Sequence, residues 1–343
     1  MARTGKSSVV EIDESKKNLI YVSQGVGGSL PLRRWFCLNV DDVTTHRRHL
    51  DSKNKTIPIV SYASIPHFGF FYSLSMDGSI YLIGQGQSCV RVTSCPNENE
   101  GLVVWRKLPP MLHQDRNWPS GVFGVAGRIY VFGGNNGNSV PDPYAEVYDT
   151  ESDQWVALPE TPKEYRGRMS FRAVVPHPNG GGSSSSKNKK IVLIKFSRQD
   201  GLYAFDPEDK TQPWSCFDAD FHENLEGPVA VWKHLVLCRI SNGVLRAYDY
   251  LKREFVHGNL WAPSEKVASL LDVEASTLVD LGQGRIFNVQ CHPLVSDFEY
   301  WLIECFPLHF KMKNGGVAVY LGKPVCYSVS GSSMCPQVHG NFR

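Results

Sequence analysis

The sequence has almost no net charge, no pair of cysteines in a C-x-x-C spacing, and few long stretches with helical periodicity. Its 36 basic and 34 acidic side chains leave a formal charge of +2, so no field of one sign draws nucleic acid or an anionic membrane to the whole molecule. The densest basic stretches are Arg47 and Arg48 with Lys53 and Lys55, and Lys187 with Lys189 and Lys190. No aromatic residues interleave with them to stack bases, so both read as solvated loops. Met1 to Ser8 is polar and basic with no apolar run behind it. That argues against a signal peptide or membrane anchor and for the cytoplasm or nucleus.

Catalytic signatures are scarce as well. There is no G-x-S-x-G elbow, no P-loop and no G-x-G-x-x-G. The 11 histidines include no i, i+4 pair beside a glutamate, and no Cys-His cluster has zinc-ligand spacing, so neither metal nor cofactor is expected. The nine cysteines are odd in number, and some lie in apolar runs, such as Cys238 in HLVLCRI and Cys305 in WLIECF. Buried, reduced thiols are the expectation.

What the chain does have is apolar material: 42% hydrophobic residues against 20% charged, enough for a large core. Short runs rich in Val, Ile, Tyr and Phe recur between Gly, Asp, Asn and Pro clusters, which points to an all-β class. The clearest unit is SGVFGVAGRIYVFGG (120 to 134), then YAEVYD (144 to 149), the turn TESD, and QWVAL (154 to 158). It reads as four strands in succession. Ala126-Gly127 has the makings of a two-residue hairpin turn, because glycine reaches positive φ at little cost. Ile129, Val131 and their neighbours form a strand apolar on both faces, as a strand covered on both sides should be. Gly133 and Gly134 end that strand where backbones crowd, and Tyr148 and Trp155 can place large rings between neighbouring sheets.

The double glycine, the tyrosine fourteen positions on and the tryptophan seven beyond it resemble the kelch motif. The second-strand core recurs as NLIYVS, SIYLIG, RIYVFG, KIVLIK, HLVLCR and RIFNVQ. Aligned on Ile20, Ile80, Ile129, Ile191, Leu235 and Ile286, these are 60, 49, 62, 44 and 51 residues apart, a spacing similar to that of kelch blades. The two longest intervals hold insertions, DDVTTHRRHLDSKNK and GGGSSSSKNKK. Trp105 matches the fourth-strand tryptophan in the second unit, Phe205 and Trp214 stand in for the ring pair in the fourth, and Tyr248 and Phe255 do so in the fifth.

The resemblance implies one six-bladed kelch-type β-propeller over residues 1–343, with four antiparallel strands per blade. The approximate blades are 8–60, 61–112, 113–162, 163–218, 219–266 and 267–330, with a flexible hairpin loop at 180–190. Residues 8–13 could supply the first strand or complete the last blade. VAVYLGKPVCYSV (317 to 329) is apolar enough to be a strand, so one terminus is expected to zip to the other.

In kelch propellers the residues entering each innermost strand gather around one mouth of the central channel. Carried onto this sequence, that places His67, Arg116, Trp118, Arg166, Arg168 and Glu226 at the mouth. Arginines from two successive blades would make an electropositive quadrant suited to a carboxylate or phosphate, unless neighbouring acids such as Glu164 or Asp115 pair with them. The segments WRKLPPM and YDTESDQW are similar to plant F-box/kelch proteins, although no F-box is expected ahead of the first strand. A galactose-oxidase-type copper site has no marker here, and the iron pattern of nitrile-specifier propellers is missing, because no aspartate lies four residues after any glutamate. The expected role is therefore non-catalytic: binding a protein partner through loops or the channel mouth, with neither nucleic acid nor membrane as a partner. The alternative is a small acidic ligand, or acid-base chemistry, in an Arg/His/Glu pocket at that mouth.

Overall fold

The computed structural model describes residues 19–26, 32–40, 57–59, 71–76, 79–84, 90–93, 105–113, 116, 119–134, 141–178, 189–240, 245–256, 276–281, 284–293, 300–313, 316–330 and 337–341. In chain order the strands are β1 (Leu19–Val26), β2 (Leu32–Asn39), β3 (Ile57–Ile59), β4 (Phe71–Met76), β5 (Ser79–Gly84), β6 (Val90–Thr93), β7 (Trp105–Lys107), β8 (Gly121–Val125) and β9 (Arg128–Phe132). There follow β10 (Ala145–Asp149), β11 (Gln154–Ala157), β12 (Met169–Pro176), β13 (Lys190–Phe196), β14 (Leu202–Phe205), β15 (Trp214–Asp218), β16 (Leu225–Trp232) and β17 (Leu235–Ile240). The last are β18 (Leu245–Asp249), β19 (Glu254–Phe255), β20 (Ser276–Asp280), β21 (Ile286–Pro293), β22 (Tyr300–Lys313), β23 (Gly316–Leu321), β24 (Val325–Ser330) and β25 (Gln337–Asn341).

Among the described residues these strands pair antiparallel in successive sheets. The first has the order β25-β1-β2-β3; the second runs β4 to β7, the third β8 to β11, the fourth β12 to β15 and the fifth β16 to β19. The sixth runs β20 to β23, with β24 as a fifth strand on β22. The six aligned apolar cores all fall on the second strand of a sheet: β1, β5, β9, β13, β17 and β21. Trp105 opens the fourth strand of its sheet, and Phe205 with Trp214 and Tyr248 with Phe255 pair directly across the third and fourth strands of theirs.

The third sheet shows why the sequence folds this way. Ala126 and Gly127 have φ of 51° and 70°, so both turn residues are left-handed, the geometry a two-residue hairpin needs to follow strand twist. Gly133 has φ of 60°, and a β-carbon there would lie 2.2 Å from Ser120 Oγ, so only glycine fits. Along β9 the side chains alternate in destination. Ile129 and Val131 pack with Tyr81 and Ile83 of the second sheet, and Tyr130 and Phe132 pack with Phe205 and Trp214 of the fourth.

That alternation repeats around the molecule. Phe171 and Leu193 of the fourth sheet pack with Val236 and Tyr248 of the fifth. Leu237 of the fifth packs with Leu278 and Phe310 of the sixth, and Val289 and Ile303 of the sixth with Ile20 and Leu38 of the first. The first strand of each sheet touches its counterparts on both sides: β4 with β8, β8 with β12, β12 with β16, β16 with β20, β20 with β25, and β25 with β4.

The two ends of the chain pair with each other, through a strand other than those the sequence suggested. The strand that joins the chain's two ends is β25, paired with β1 from Ile20↔Asn341 to Ser23↔Gln337 and lying beyond the expected last blade. Residues 317–329 instead form β23 and β24, which share the outer edge of the 14-residue β22 end to end. The break between them falls at Gly322, where a β-carbon would lie 2.5 Å from Pro307 Cγ. Residues 8–13 lie outside the described residues, as do those of the first insertion and most of the second. The second insertion sits in the hairpin from β12 to β13, whose strands pair up to Pro176↔Lys190.

Candidate functional site

The residues expected at the mouth have different fates. His67 and Trp118 lie outside the described residues. Glu226 is on β16, opposite Arg239 of β17.

Arg116 corrects the expectation of an open basic quadrant. It is completely buried, as is Glu146 of β10. Its Nε donates to Glu146 Oε1 at 2.9 Å, and one terminal nitrogen lies 2.9 Å from the same oxygen and donates to Pro143 O at 2.7 Å. The other donates to Gly133 O and, at 2.9 Å, to Tyr144 O. Four of its N–H groups are hydrogen-bonded and its charge is met by Glu146, so the group is spent within the protein. Burial pushes the Arg116 guanidinium down from its ordinary range, and Glu146 opposes that shift. Glu146 Oε2 also accepts from Leu112 N at 2.7 Å, so the pair ties the segment ahead of β8 to β10.

Arg166 approaches the same tyrosine from another side, with its guanidinium 5.1 Å from the Tyr144 ring centroid. Its Nε donates to Thr161 O at 2.7 Å, and a terminal nitrogen meets Glu160 at 3.0 Å. Of the three arginines, only Arg168 is exposed, with its carbonyl accepting from Ser197 N at 2.7 Å. The structure thus brings Arg116 and Arg166 together at Tyr144, where they brace the third sheet and the turn at Lys163–Tyr165.

The residue that the sequence reading missed is Arg172, in the middle of β12. Phe171, Ala173 and Val175 are buried toward the fifth sheet, and the alternating Ser170, Arg172 and Val174 are half-buried on the other face. The Arg172 guanidinium lies over the ring of Tyr72, 5.6 Å from its centroid. Tyr72 belongs to β4 of the second sheet, and β8 of the third touches both β4 and β12. The side chain therefore reaches from β12 of the fourth sheet to β4 of the second. Gly124 of β8 lies against β4, where a β-carbon would come within 3.0 Å of Leu74 Cδ1. Tyr72 is held by its hydroxyl, which donates to Pro119 O at 3.0 Å. Among the described residues no carboxylate pairs with Arg172, and burial pushes its guanidinium down from the ordinary range. An arginine flanked by apolar residues in a strand read as innermost, MSFRAVV, was the available signal.

Among the described residues no group of His, Cys, Asp and Glu is gathered as metal ligands would be, and no helix is long and apolar enough to cross a membrane.

Residues 119–162, the third sheet with its flanks, match the Kelch motif family. The F-box/kelch-repeat protein At4g19870 of Arabidopsis thaliana is 28% identical over 153 residues, 43% of this chain and 32% of that protein. The chain thus matches about a third of that relative's length. Both matches support the kelch-repeat resemblance read from the double glycine, Tyr148 and Trp155. Among solved structures, Bacteroides ovatus Xyloglucan PUL GH43B aligns with a TM-score of 0.37 at 10% identity, covering 77% of this chain and 56% of that one. The computationally designed Ika8 protein aligns at 0.35 with 11% identity, covering 75% and 73%. TM-scores this low carry no inference about fold or function.

Proposed function

Taking the kelch motif at 119–162 as the premise, we propose that residues 1–343 form one six-bladed kelch-type propeller that binds a protein partner and performs no catalysis. In this reading β25 closes the ring on β1, and the inner strands with the segments entering them are the binding face. The observation that carries it is the engagement of Arg116. Arg116, expected at the mouth, gives its hydrogen bonds to Glu146 and three backbone carbonyls, so it stiffens a scaffold. A rigid scaffold that presents loops is what recognition requires. Cytoplasm or nucleus is the proposed location, in keeping with the free thiols of Cys238 and Cys305 in the core.

Proximity labelling in cells, with two surface variants, tests this. Arg168→Glu reverses an exposed charge beside the inner strand β12, and Val156→Lys alters the outer strand β11, where Val156 is 53% exposed. A reproducible set of labelled proteins should be lost with Arg168→Glu and kept with Val156→Lys. The reverse pattern would move the binding face to the outer edge, and equal labelling by all three proteins would contradict partner binding at the mouth.

A further inference from the structure

Arg172 is a half-buried cation that no carboxylate among the described residues matches. Arg172 is the one arginine on the half-buried face of β12, and its neighbours on that face are Ser170 and Val174. The Ser170 hydroxyl faces Lys195 O at 3.4 Å, within its own sheet. Tyr72 and Leu74, alternate residues of β4, are both partly buried and pack against the core between the second and third sheets. Elsewhere arginines of this chain are matched with acids: Arg106 with Asp153 at 2.6 Å, Arg128 with Asp149 at 3.1 Å, and Arg246 with Glu223 at 2.8 Å. Arg116, deeper still, has Glu146. The Arg172 guanidinium carbon lies 5.6 Å from the Tyr72 ring centroid, and a cation–π contact engages the charge rather than the individual N–H donors.

We propose that Arg172 is a carboxylate-binding site inside the ring of inner strands, where the guanidinium takes the carboxylate edge-on and Tyr72, Leu74 and Val174 cover the apolar part of the same ligand. The inference rests on the inner face being the binding face and adds the chemistry it recognises. A carboxylate is favoured over a phosphate because one guanidinium balances one negative charge, whereas a phosphate dianion in apolar surroundings would require further donors. The planar fork also matches a carboxylate bidentately.

The test uses the full chain and three probes, butyrate, benzoate and inorganic phosphate, with binding read by calorimetry and by the rise in melting temperature. Both monocarboxylates should bind saturably and raise the melting temperature with concentration, and phosphate should bind more weakly. Arg172→Met should weaken the monocarboxylates at least tenfold while melting at the wild-type temperature or above, because it removes an unmatched charge from a poorly solvated place. Arg172→Lys keeps the charge without the fork and should retain only part of the affinity. Absence of saturable monocarboxylate binding, equal binding by Arg172→Met, tighter binding of phosphate, or a melting temperature several degrees lower in Arg172→Met would each overturn the proposal. Binding of the small acids together with failure of the labelling experiment would uphold the site and remove the protein-partner reading.

Discussion

Arg116 and Glu146 are joined at 2.9 Å with both side chains 0% exposed, one ahead of β8 and the other inside β10. Removing one member leaves the other charged and without its partner in the interior, which typically costs about 3 to 5 kcal/mol. Arg116→Met should therefore lower the melting temperature by many degrees, and so should Glu146→Leu. Replacing a buried ion pair by apolar residues is often neutral elsewhere. Here Arg116→Met with Glu146→Leu should recover only part of the loss, because the carbonyls of Gly133 and Pro143 and the amide of Leu112 would lose these partners and the carbonyl of Tyr144 would keep only Gly133 N. Full recovery in the double variant would show that those backbone bonds contribute little.

Trp155 lies between the second and third sheets, its ring centroid 5.3 Å from that of Tyr148 and its indole nitrogen donating to Pro109 O at 3.1 Å. Tyr148 continues the stack to Tyr81 of β5, with centroids 6.5 Å apart. Trp155→Ala should cost about 3 to 5 kcal/mol, as large-to-small changes in cores do. Trp155→Phe keeps a ring and loses the hydrogen bond, so a smaller cost of about 0.5 to 1.5 kcal/mol is expected. Urea titration of both variants measures the difference. An Ala variant as stable as wild type would place the ring outside the inter-sheet core.

Burial pushes the Cys238 thiol up to about 12, from an ordinary value of 9.0. The Tyr148 hydroxyl is likewise pushed up to about 12 from 10.0, by burial and by its bond to Asp153. For an acid whose folded-state value is raised, the folded state holds its proton more tightly, so the stability is fully present below the unfolded value and is lost as pH rises toward the folded one. The protein should therefore keep its stability up to about pH 9 and lose it progressively between about pH 9 and 12. Alkylation of the native protein at pH 8 should label Cys216 and Cys326, which are exposed, and spare Cys238, Cys291 and Cys305, which are buried. Labelling of Cys238 at the rate of Cys216 would contradict its burial.

The strands were legible because each carries its own local signal. RIYVFGG specifies a strand covered on both faces and the turn that ends it, and the same texture in NLIYVS and HLVLCR marked the second strand of its sheet without help from distant residues. Pairing between the ends was less legible, because QVHGN of β25 has little apolar character and its place is set by β1, more than 300 residues away in sequence. The apolar VAVYL drew attention instead, and it is the outer strand of the sixth sheet. The site followed the same division. Segments entering the inner strands could be aligned, but Arg116 and Arg172 differ through their surroundings: Glu146, thirty residues on, meets the first, and Tyr72, a hundred residues back, lies beneath the second.

Closure of the molecule by its last strand is the claim on which the inner binding face depends, and hydrogen exchange on the full chain and on a chain ending at residue 336 tests it most directly. In the full chain the amides of β1 should be protected together with those of β25, since Ile20 to Ser23 pair with Gln337 to Asn341. Without β25, β1 is left with a free edge, and the contacts of β25 with β20 and β4 are lost as well. The shortened chain should then show fast exchange in residues 19–26, a lower melting temperature and a tendency to associate through that edge. Unchanged protection of β1 and an unchanged melting temperature in the shortened chain would contradict the account.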